Sequence, residues 1–510
     1  MFKNKIIKDT IMLTVMQLFL DTSALLLNAF INRKLGTSAM GILSLTGSFL
    51  VLAGTVSNGS AFLCTSRLIS EELGKTKKNP DRVLLCGLGL CLILSTAVSA
   101  VLVLFSGVVG ERFFHSSDMS RAVRLMPLAL IPGAFAACFK GYFNAFRKSS
   151  AAAAADILEF AVKAAVIILA TIASRNPSDG SVCAIMITGI IAGNCFSLVF
   201  YLVLFMKRKE KFHGKASLSF KDYVSLAIPV MGGGIITSAL SSTNDALIPV
   251  TLRQYGDSVS EAFSRFGIFE SIVIPTLFFP SVVLCSMSGI IVSEAARASA
   301  AGNRERIKSL SARLIEYTLI FAVFASAFLM RFGREIGELM GGGELAGKMI
   351  SVIAPVVPFI YLEIILEALI KGMGLQGFSS LNYLAEYAVR ISVVLIFVPH
   401  FGFYGIAASY YTSNVIGNCS RLIKVLRHTG VKLHFFRSVL LPVVYAFLTM
   451  GASELLTRII GADGESIPEI ILFSVLWAAG YFAFTMLSHK EKSRLISGEL
   501  LDMNKKIRSV

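Results

Sequence analysis

The chain has 510 residues, 55% of them apolar and only 16% charged, with a mean hydropathy of +0.72. Globular domains carry about 25% charged residues, and a soluble chain this long divides into domains joined by polar linkers, of which none exists here. The formal charge of +16 lies mostly in short gaps between apolar stretches, where it is a topogenic signal and not a nucleic-acid surface.

Apolar stretches of about 20 residues recur from Ile11 to Leu487 and predict fourteen spans. They are 10–31, 41–63, 83–107, 122–143, 153–173, 182–206, 222–250, 265–292, 311–330, 349–370, 382–398, 404–425, 438–457 and 468–487. Lys3, Lys5 and Lys8 give the first run the look of a signal peptide. The run is longer than an h-region and no small-x-small cleavage site follows, so it reads as an uncleaved first span. Counting charged span ends with the adjoining gap, the gaps on the side of the N-terminal tail hold 34 Lys and Arg and the alternate gaps 12. The excess marks the cytoplasmic side, and the even span count puts both termini there. The basic loop Lys207–Lys215 and the tail Lys490–Arg508 are expected to meet anionic lipid headgroups. Eight cysteines lie in or beside apolar spans without a C-x-x-C pair, which indicates small buried hydrophobes and neither disulfides nor zinc. The six histidines fall in or beside loops or at span ends, so no metal site is expected, and no cofactor either.

The two halves repeat. Ile157-Leu-Glu159-Phe-Ala-Val-Lys163 in span 5 matches Leu384-Ala-Glu386-Tyr-Ala-Val-Arg390 in span 11, 227 residues later. Pro127, Pro132 and Lys140-Gly141 answer to Pro355, Pro358 and Lys371-Gly372, and Ser70-Glu71 to Ser293-Glu294. The predicted fold is an all-α polytopic membrane protein: a six-helix lobe over 1–215, a second over 216–430, and two added helices with a basic tail over 431–510. An even-numbered unit keeps its orientation when duplicated, so the repeats are parallel. Such repeats commonly enclose a substrate path and rock about it.

Arg33-Lys-Leu-Gly36 with Gly41, Lys140-Gly-Tyr-Phe-Asn-Ala-Phe146 with Glu159 and Lys163, and Gly402-Phe-Tyr-Gly405-Ile-Ala-Ala408 occur in that order. Together they resemble the polysaccharide-transporter branch of the multidrug/oligosaccharidyl-lipid/polysaccharide exporter superfamily, over nearly the whole chain. The resemblance implies a flippase in a bacterial plasma membrane that moves undecaprenyl-linked saccharides outward by alternating access. The peptidoglycan-precursor flippases of that superfamily have an arginine-rich central cavity. Here only Arg33 matches their basic pattern in span 1, with Leu27 and Asn28 at the preceding turn, and span 2 has no arginine before Arg67.

No nucleotide-binding P-loop, no H-E-x-x-H and no soluble domain large enough for an ATPase is present, so an enzyme is not expected and energy must come from a gradient, the substrate or a partner. Ionisable residues inside spans are costly and mark function by default. Glu159 and Lys163, and Glu386 and Arg390, are four apart and share a helix face. Each pair is either self-neutralising, or its cation faces a cavity and attracts a pyrophosphate, for which an arginine fork is suited. Asn28, Arg33 and Asn244 join them as cavity candidates. Asp21 and Asp245 are candidates for ion coupling or sugar contact. Glu363 and Glu367, a like-charged pair on one face, are candidates for holding a coupling proton. Pro229 with Gly232, Gly233 and Gly234 interrupts span 7 and predicts a bent gating helix.

The partners called for are a lipid-linked saccharide, membrane lipids and a coupling ion, H⁺ or Na⁺, with no nucleic acid. Two rival functions stay open: a cation antiporter of the same superfamily working through Asp21 or Asp245, and a non-transporting scaffold for envelope or spore assembly. Fourteen spans and basic residues within spans 5 and 11 oppose the first; the parallel repeat and the broken span 7 oppose the second.

Overall fold

A computed structural model of the protein describes residues 2–73, 79–112, 119–174, 178–208, 219–434, 436–460 and 467–508. Among these residues there are helices and connecting turns but no strands. The helices are α1 (Phe2–Leu35), α2 (Thr37–Asn58), α3 (Ala61–Leu73), α4 (Pro80–Leu104), α5 (Ser106–Arg112), α6 (Met119–Ala145), α7 (Ser149–Ala173) and α8 (Asp179–Met206). They continue with α9 (Phe220–Tyr255), α10 (Val259–Ile268), α11 (Ile274–Phe278), α12 (Val282–Ala300), α13 (Arg304–Leu339), α14 (Gly343–Ile353) and α15 (Val357–Gly372). The last four are α16 (Gln376–Phe401), α17 (Phe403–Thr429), α18 (Leu441–Ile459) and α19 (Ile467–Arg508). A π-helical turn, Phe269–Val273, joins α10 to α11. The loop at 209–215 and the side chains of Lys490–Arg508, expected at lipid headgroups, lie outside the described residues.

Twelve stretches are long and apolar enough to cross a membrane. α7 and α17 lie at predicted spans 5 and 12 but are not among the twelve: α7 carries Asp156, Glu159 and Lys163, and α17 is rich in Ser, Thr, Asn and Tyr. Large apolar side chains face outward, Leu104 at 77% and Met206 at 73% exposure, the surface expected of a chain solvated by lipid.

Local chemistry sets the helix ends. Asn79 accepts from the Arg82 amide at 3.2 Å with Pro80 at the first helical position, and Ser219–Asp222 and Ser258–Glu261 form capping boxes that open α9 and α10. Gly36 (φ 88°) turns the chain from α1 into α2, and Gly402 (φ 56°) does the same between α16 and α17. A Cβ on Gly405 would lie 2.6 Å from the Val398 backbone. Two of the motif segments noted in the sequence are therefore tight turns of a kind that favours glycine.

Contacts divide the chain into two compact units: Met1–Ser286 with Arg334–Met349 and Ser380–Ser413, and Met287–Gly333 with Ile350–Ser379 and Asn414–Val510. In the first, Phe139, Tyr142, Phe143, Tyr201 and Tyr223 fill a core with Cys64, Cys91 and Cys138, and the Tyr223 and Thr65 hydroxyls bond at 2.7 Å. In the second, α18 and α19 dock on α13: Trp477 donates to the Ala446 carbonyl at 2.9 Å, Tyr481 to that of Ile320 at 2.8 Å, and both rings pack on Phe324.

The repeat is visible in these contacts. Gly141 of α6 approaches α3 so closely that a Cβ would lie 2.7 Å from the Phe62 carbonyl oxygen; Gly372 of α15 approaches α12 with the same 2.7 Å to that of Val292. Hydroxyls separated by the offset of the Glu-Lys and Glu-Arg motifs also meet each other directly. The hydroxyls of Thr37 and Ser264 hydrogen-bond, as do those of Ser44 and Ser271 at 2.6 Å, and both pairs are 227 residues apart. These contacts join α2 to α10 and to the π-helical turn that follows it. Glycines make the crossing possible: a Cβ on Gly41 would lie 1.9 Å from the Phe263 carbonyl oxygen, and one on Gly267 2.4 Å from that of Thr37.

Candidate functional site

Lys163 stands at the meeting of two cavities. One, of about 220 Å³, is bordered by α1, α2, α7, α8 and the π-helical turn, with Asn28, Ser44, Thr171, Glu270 and Ser271 as its polar groups. The other, of about 400 Å³, is bordered by α2, α6, α7 and α8, with Asn58, Glu159 and Asn194. Gly47, Lys163, Met186 and Ile190 line both. Among the described residues no carboxylate ion-pairs with Lys163; its ammonium lies 5.2 Å from the centre of the Phe160 ring. The sequence pairing of Glu159 with Lys163 is thus not a closed ion pair, and each contributes to a cavity wall.

α7 reaches this position because α8 offers it glycines. A Cβ on Gly193 would lie 2.8 Å from the Glu159 carbonyl oxygen, and one on Gly189 2.5 Å from the Ile167 side chain. Gly189-x-x-x-Gly193 is the small-residue spacing that lets two membrane helices approach backbone to backbone, and it could have been read from the sequence.

The π-helical turn has a nameable cause. Pro275 has no amide hydrogen to give the carbonyl four residues back, and its ring crowds that carbonyl. The carbonyl is that of Ser271, and Asn28 of α1 donates to it instead at 3.3 Å. The widened turn puts Glu270 in the cavity wall beside Ser271. π-bulges are frequent at functional sites; neither this one nor Pro275 entered the reading of span 8.

Arg390 is placed quite differently. Its guanidinium donates to Glu386 at 3.1 Å and to the Ser413 hydroxyl at 3.0 Å, and lies over the rings of Tyr410 at 4.6 Å and Tyr387 at 5.2 Å. Glu386 is buried, at 4% exposure. Asp245, buried on α9, accepts from Ser48 of α2 at 2.5 Å and from Asn244 at 3.2 Å. Asp245, Glu270 and Arg390 lie within electrostatic reach of one another.

The other candidates are dispersed. Arg33 is exposed and donates to the Leu339 carbonyl at 2.6 Å, beside Asn32, which donates to that of Met340 at 3.2 Å. Asp21 accepts from Gln17 at 2.9 Å, one helical turn away on α1. Glu363 and Glu367 belong to the second unit, where the fully buried Arg421 lies 3.4 and 3.5 Å from them. Ser379 donates to Glu367, and Lys371 is 3.2 Å from it. Reading the glutamates as a like-charged pair left out Arg421, which span 12 carries in plain view. α9 runs unbroken through Pro229 and Gly232-Gly-Gly234, and a Cβ on Gly232 or Gly233 would meet nothing within 4 Å. Among the described residues no three His, Cys, Asp or Glu come together as metal ligands.

Comparison with known proteins follows the same lines. Residues 6–257 match the polysaccharide biosynthesis protein family. Stage V sporulation protein B of Bacillus subtilis (strain 168) is 19% identical over 428 residues, 82% of either chain. Among solved structures, the lipid II flippase MurJ in an inward closed conformation superposes with a TM-score of 0.67 at 14% identity, covering 94% of this chain and 99% of that one. A multidrug resistance MATE family transporter of the MOP superfamily, in an inward-facing conformation, has a TM-score of 0.67 at 13% identity, over 81% and 96%. The N-terminal half of this chain thus matches the polysaccharide biosynthesis proteins, and the chain as a whole shares its fold with these two transporters.

Proposed function

We propose that the protein is an alternating-access flippase that carries undecaprenyl-linked saccharide from the cytoplasmic to the outer leaflet of a bacterial plasma membrane, both termini lying in the cytoplasm. The observation that carries this reading is Lys163, a cation without an ion-pair partner among the described residues, in the wall shared by two polar-lined cavities. A lysine ammonium in a low-dielectric site attracts a phosphate strongly. Asn28, Ser44, Asn58, Asn194 and the carboxylates of Glu159 and Glu270 are the amides, hydroxyls and acceptors that sugar hydroxyls require. The match to the polysaccharide biosynthesis family and the likeness to a lipid II flippase support the substrate class. Arg390, Glu386, Asn244 and Asp245 form the second polar cluster of the path, and Asp245 with Glu270 is the candidate for a coupling ion. Glu363 and Glu367 with Arg421, and Asp21, remain further candidates for coupling, and Arg33 for the closed outer end.

The test is depletion of the protein in its host, followed by quantification of undecaprenyl-linked saccharide on each leaflet. Accumulation on the cytoplasmic leaflet is expected, restored by the wild-type chain and not by Lys163→Glu. An unchanged distribution, with no redundant transporter present, overturns the reading. The outcome would then favour the antiporter alternative, which the equal TM-score of a multidrug transporter and the buried Asp245 support.

A further inference from the structure

The C-terminal end of α17 carries basic groups that no carboxylate among the described residues pairs with. Lys424, Arg427 and His428, on one face at i, i+3 and i+4, line a cavity of about 700 Å³ whose other wall includes Phe378 of α16. Among the described residues none of the three ion-pairs with a carboxylate; the glutamates on α15 are engaged by Arg421 one turn earlier. Lys424 lies 5.4 Å from the centre of the Phe378 ring, which holds it at the cavity and not extended into solvent. Cations at a helix C-terminus are favoured by the helix dipole, but the dipole explains neither the cavity nor its second feature. Ile416 and Ile423, 50% and 49% exposed, line the same cavity, Ile416 about two turns before Lys424 and Ile423 directly next to it. At about 1.5 Å per residue, Ile416 and His428 are about 18 Å apart along the helix. One end of the groove is cationic and the other apolar, which is the shape of an amphiphile with an anionic head.

We infer that this pocket binds the phosphate headgroup of a membrane lipid, with its hydrocarbon chain lying along Ile423 and Ile416. Lys424 and Arg427 supply the charge, and the Arg427 fork and the His428 imidazole supply directed donors to phosphate oxygens. Basic pockets between membrane helices bind lipid headgroups in this way. In the proposed orientation the lipid belongs to the cytoplasmic leaflet. The inference stands apart from the transport reading: it concerns a site in the second unit and needs no translocation.

The experiment is native mass spectrometry of the full chain in detergent, titrated separately with phosphatidylglycerol, phosphatidylcholine and undecaprenyl phosphate. Both net-anionic lipids are expected to stay bound at concentrations about tenfold below those needed for phosphatidylcholine. Lys424→Gln with Arg427→Gln, exposed or half-exposed positions whose loss leaves the helix intact, should abolish that preference. Ile416→Ser with Ile423→Ser should weaken retention of all three lipids by a common factor. The ratio of the two anionic lipids identifies the source: equal retention indicates bulk phospholipid, preference for undecaprenyl phosphate a carrier lipid, and either supports the site. Retention of phosphatidylcholine equal to the others, or an undiminished preference in the folded double glutamine variant, overturns it.

Discussion

Span 5 and span 11 carry similar seven-residue segments, each with a glutamate four residues before a cation, and the structure surrounds them in two ways. On α16 the guanidinium of Arg390 is fully engaged by Glu386, Ser413 and the faces of Tyr387 and Tyr410. On α7 the ammonium of Lys163 has one ring beside it and two cavities around it. Part of the difference is intrinsic, since a planar fork with five donors can serve several partners at once while an ammonium is a compact point charge. The rest comes from the neighbouring helix. Tyr410 and Ser413 of α17 supply a ring face and a hydroxyl to Arg390, whereas the α8 residues beside Lys163 in the cavity walls, Met186 and Ile190, are apolar. The same charges thus stand in different surroundings, one braced by neighbouring side chains and the other at a cavity wall.

Removing the cations separately should break this comparison most sharply. Arg390→Ala takes the guanidinium away from the buried Glu386, a loss on the order of 3–5 kcal/mol, read as a lowered thermal midpoint and poor yield. Replacing both members together, Glu386→Leu with Arg390→Leu, should recover most of that stability, because no orphan charge remains. Lys163→Ala should leave the midpoint within a few degrees while lowering saccharide translocation in proteoliposomes at least tenfold. The reverse pattern, an unstable Lys163→Ala and a folded, inactive Arg390→Ala, would exchange the two roles.

The next effect concerns how α7 is held. Gly193→Val introduces a Cβ 2.8 Å from the Glu159 carbonyl oxygen and 3.3 Å from the Lys163 Cβ, and overpacking of this kind destabilises by roughly 1–3 kcal/mol. Because it displaces the helix that carries Lys163, translocation should fall further than stability alone accounts for. Proportional loss of both would mean that the glycine serves packing only.

A weaker coupling ties α1 to the π-helical turn. Asn28→Ala strips the Ser271 carbonyl of its donor, a loss toward the lower end of about 1–3 kcal/mol because the contact is only partly buried. Pro275→Ala restores an amide that can reach the same carbonyl. The double variant should therefore be more stable than the sum of the single changes predicts, in a cycle followed by thermal unfolding. Strict additivity would detach Asn28 from the cause of the bulge.

The membrane path was legible because apolar length and the 34 to 12 asymmetry of basic residues are properties of the chain itself. Twelve of the fourteen expected spans are apolar enough to cross a membrane, and close glycine contacts such as Gly141 with Phe62 and Gly372 with Val292 stand at the paired Lys-Gly motifs. The site was legible only in part. Lys163, Glu159, Asn28 and Asp245 attract notice as polar groups within apolar runs. What each one touches depends on helix neighbours far away in sequence: Ser48 for Asp245, Ser271 for Asn28, Ser413 for Arg390. Arg421 was overlooked because it sits near a span end, where a cation normally snorkels to the surface, yet it is completely buried.

The smallest effect bears on movement. At the α2–α10 crossing glycine is compulsory, since a Cβ on Gly41 would overlap the Phe263 carbonyl; on α9 it is not, since Gly233 has open space where its Cβ would stand. Glycine inside a helix lowers stability by roughly 0.5–1 kcal/mol relative to alanine, so its presence at a position free of steric demand points to a use for the flexibility. Gly233→Ala should therefore raise the thermal midpoint slightly and slow translocation, two readouts that move in opposite senses. Slower transport with higher stability makes α9 a bending element of the cycle. An equally fast, stabilised variant would show that the helix moves as a rigid rod and that bending happens elsewhere.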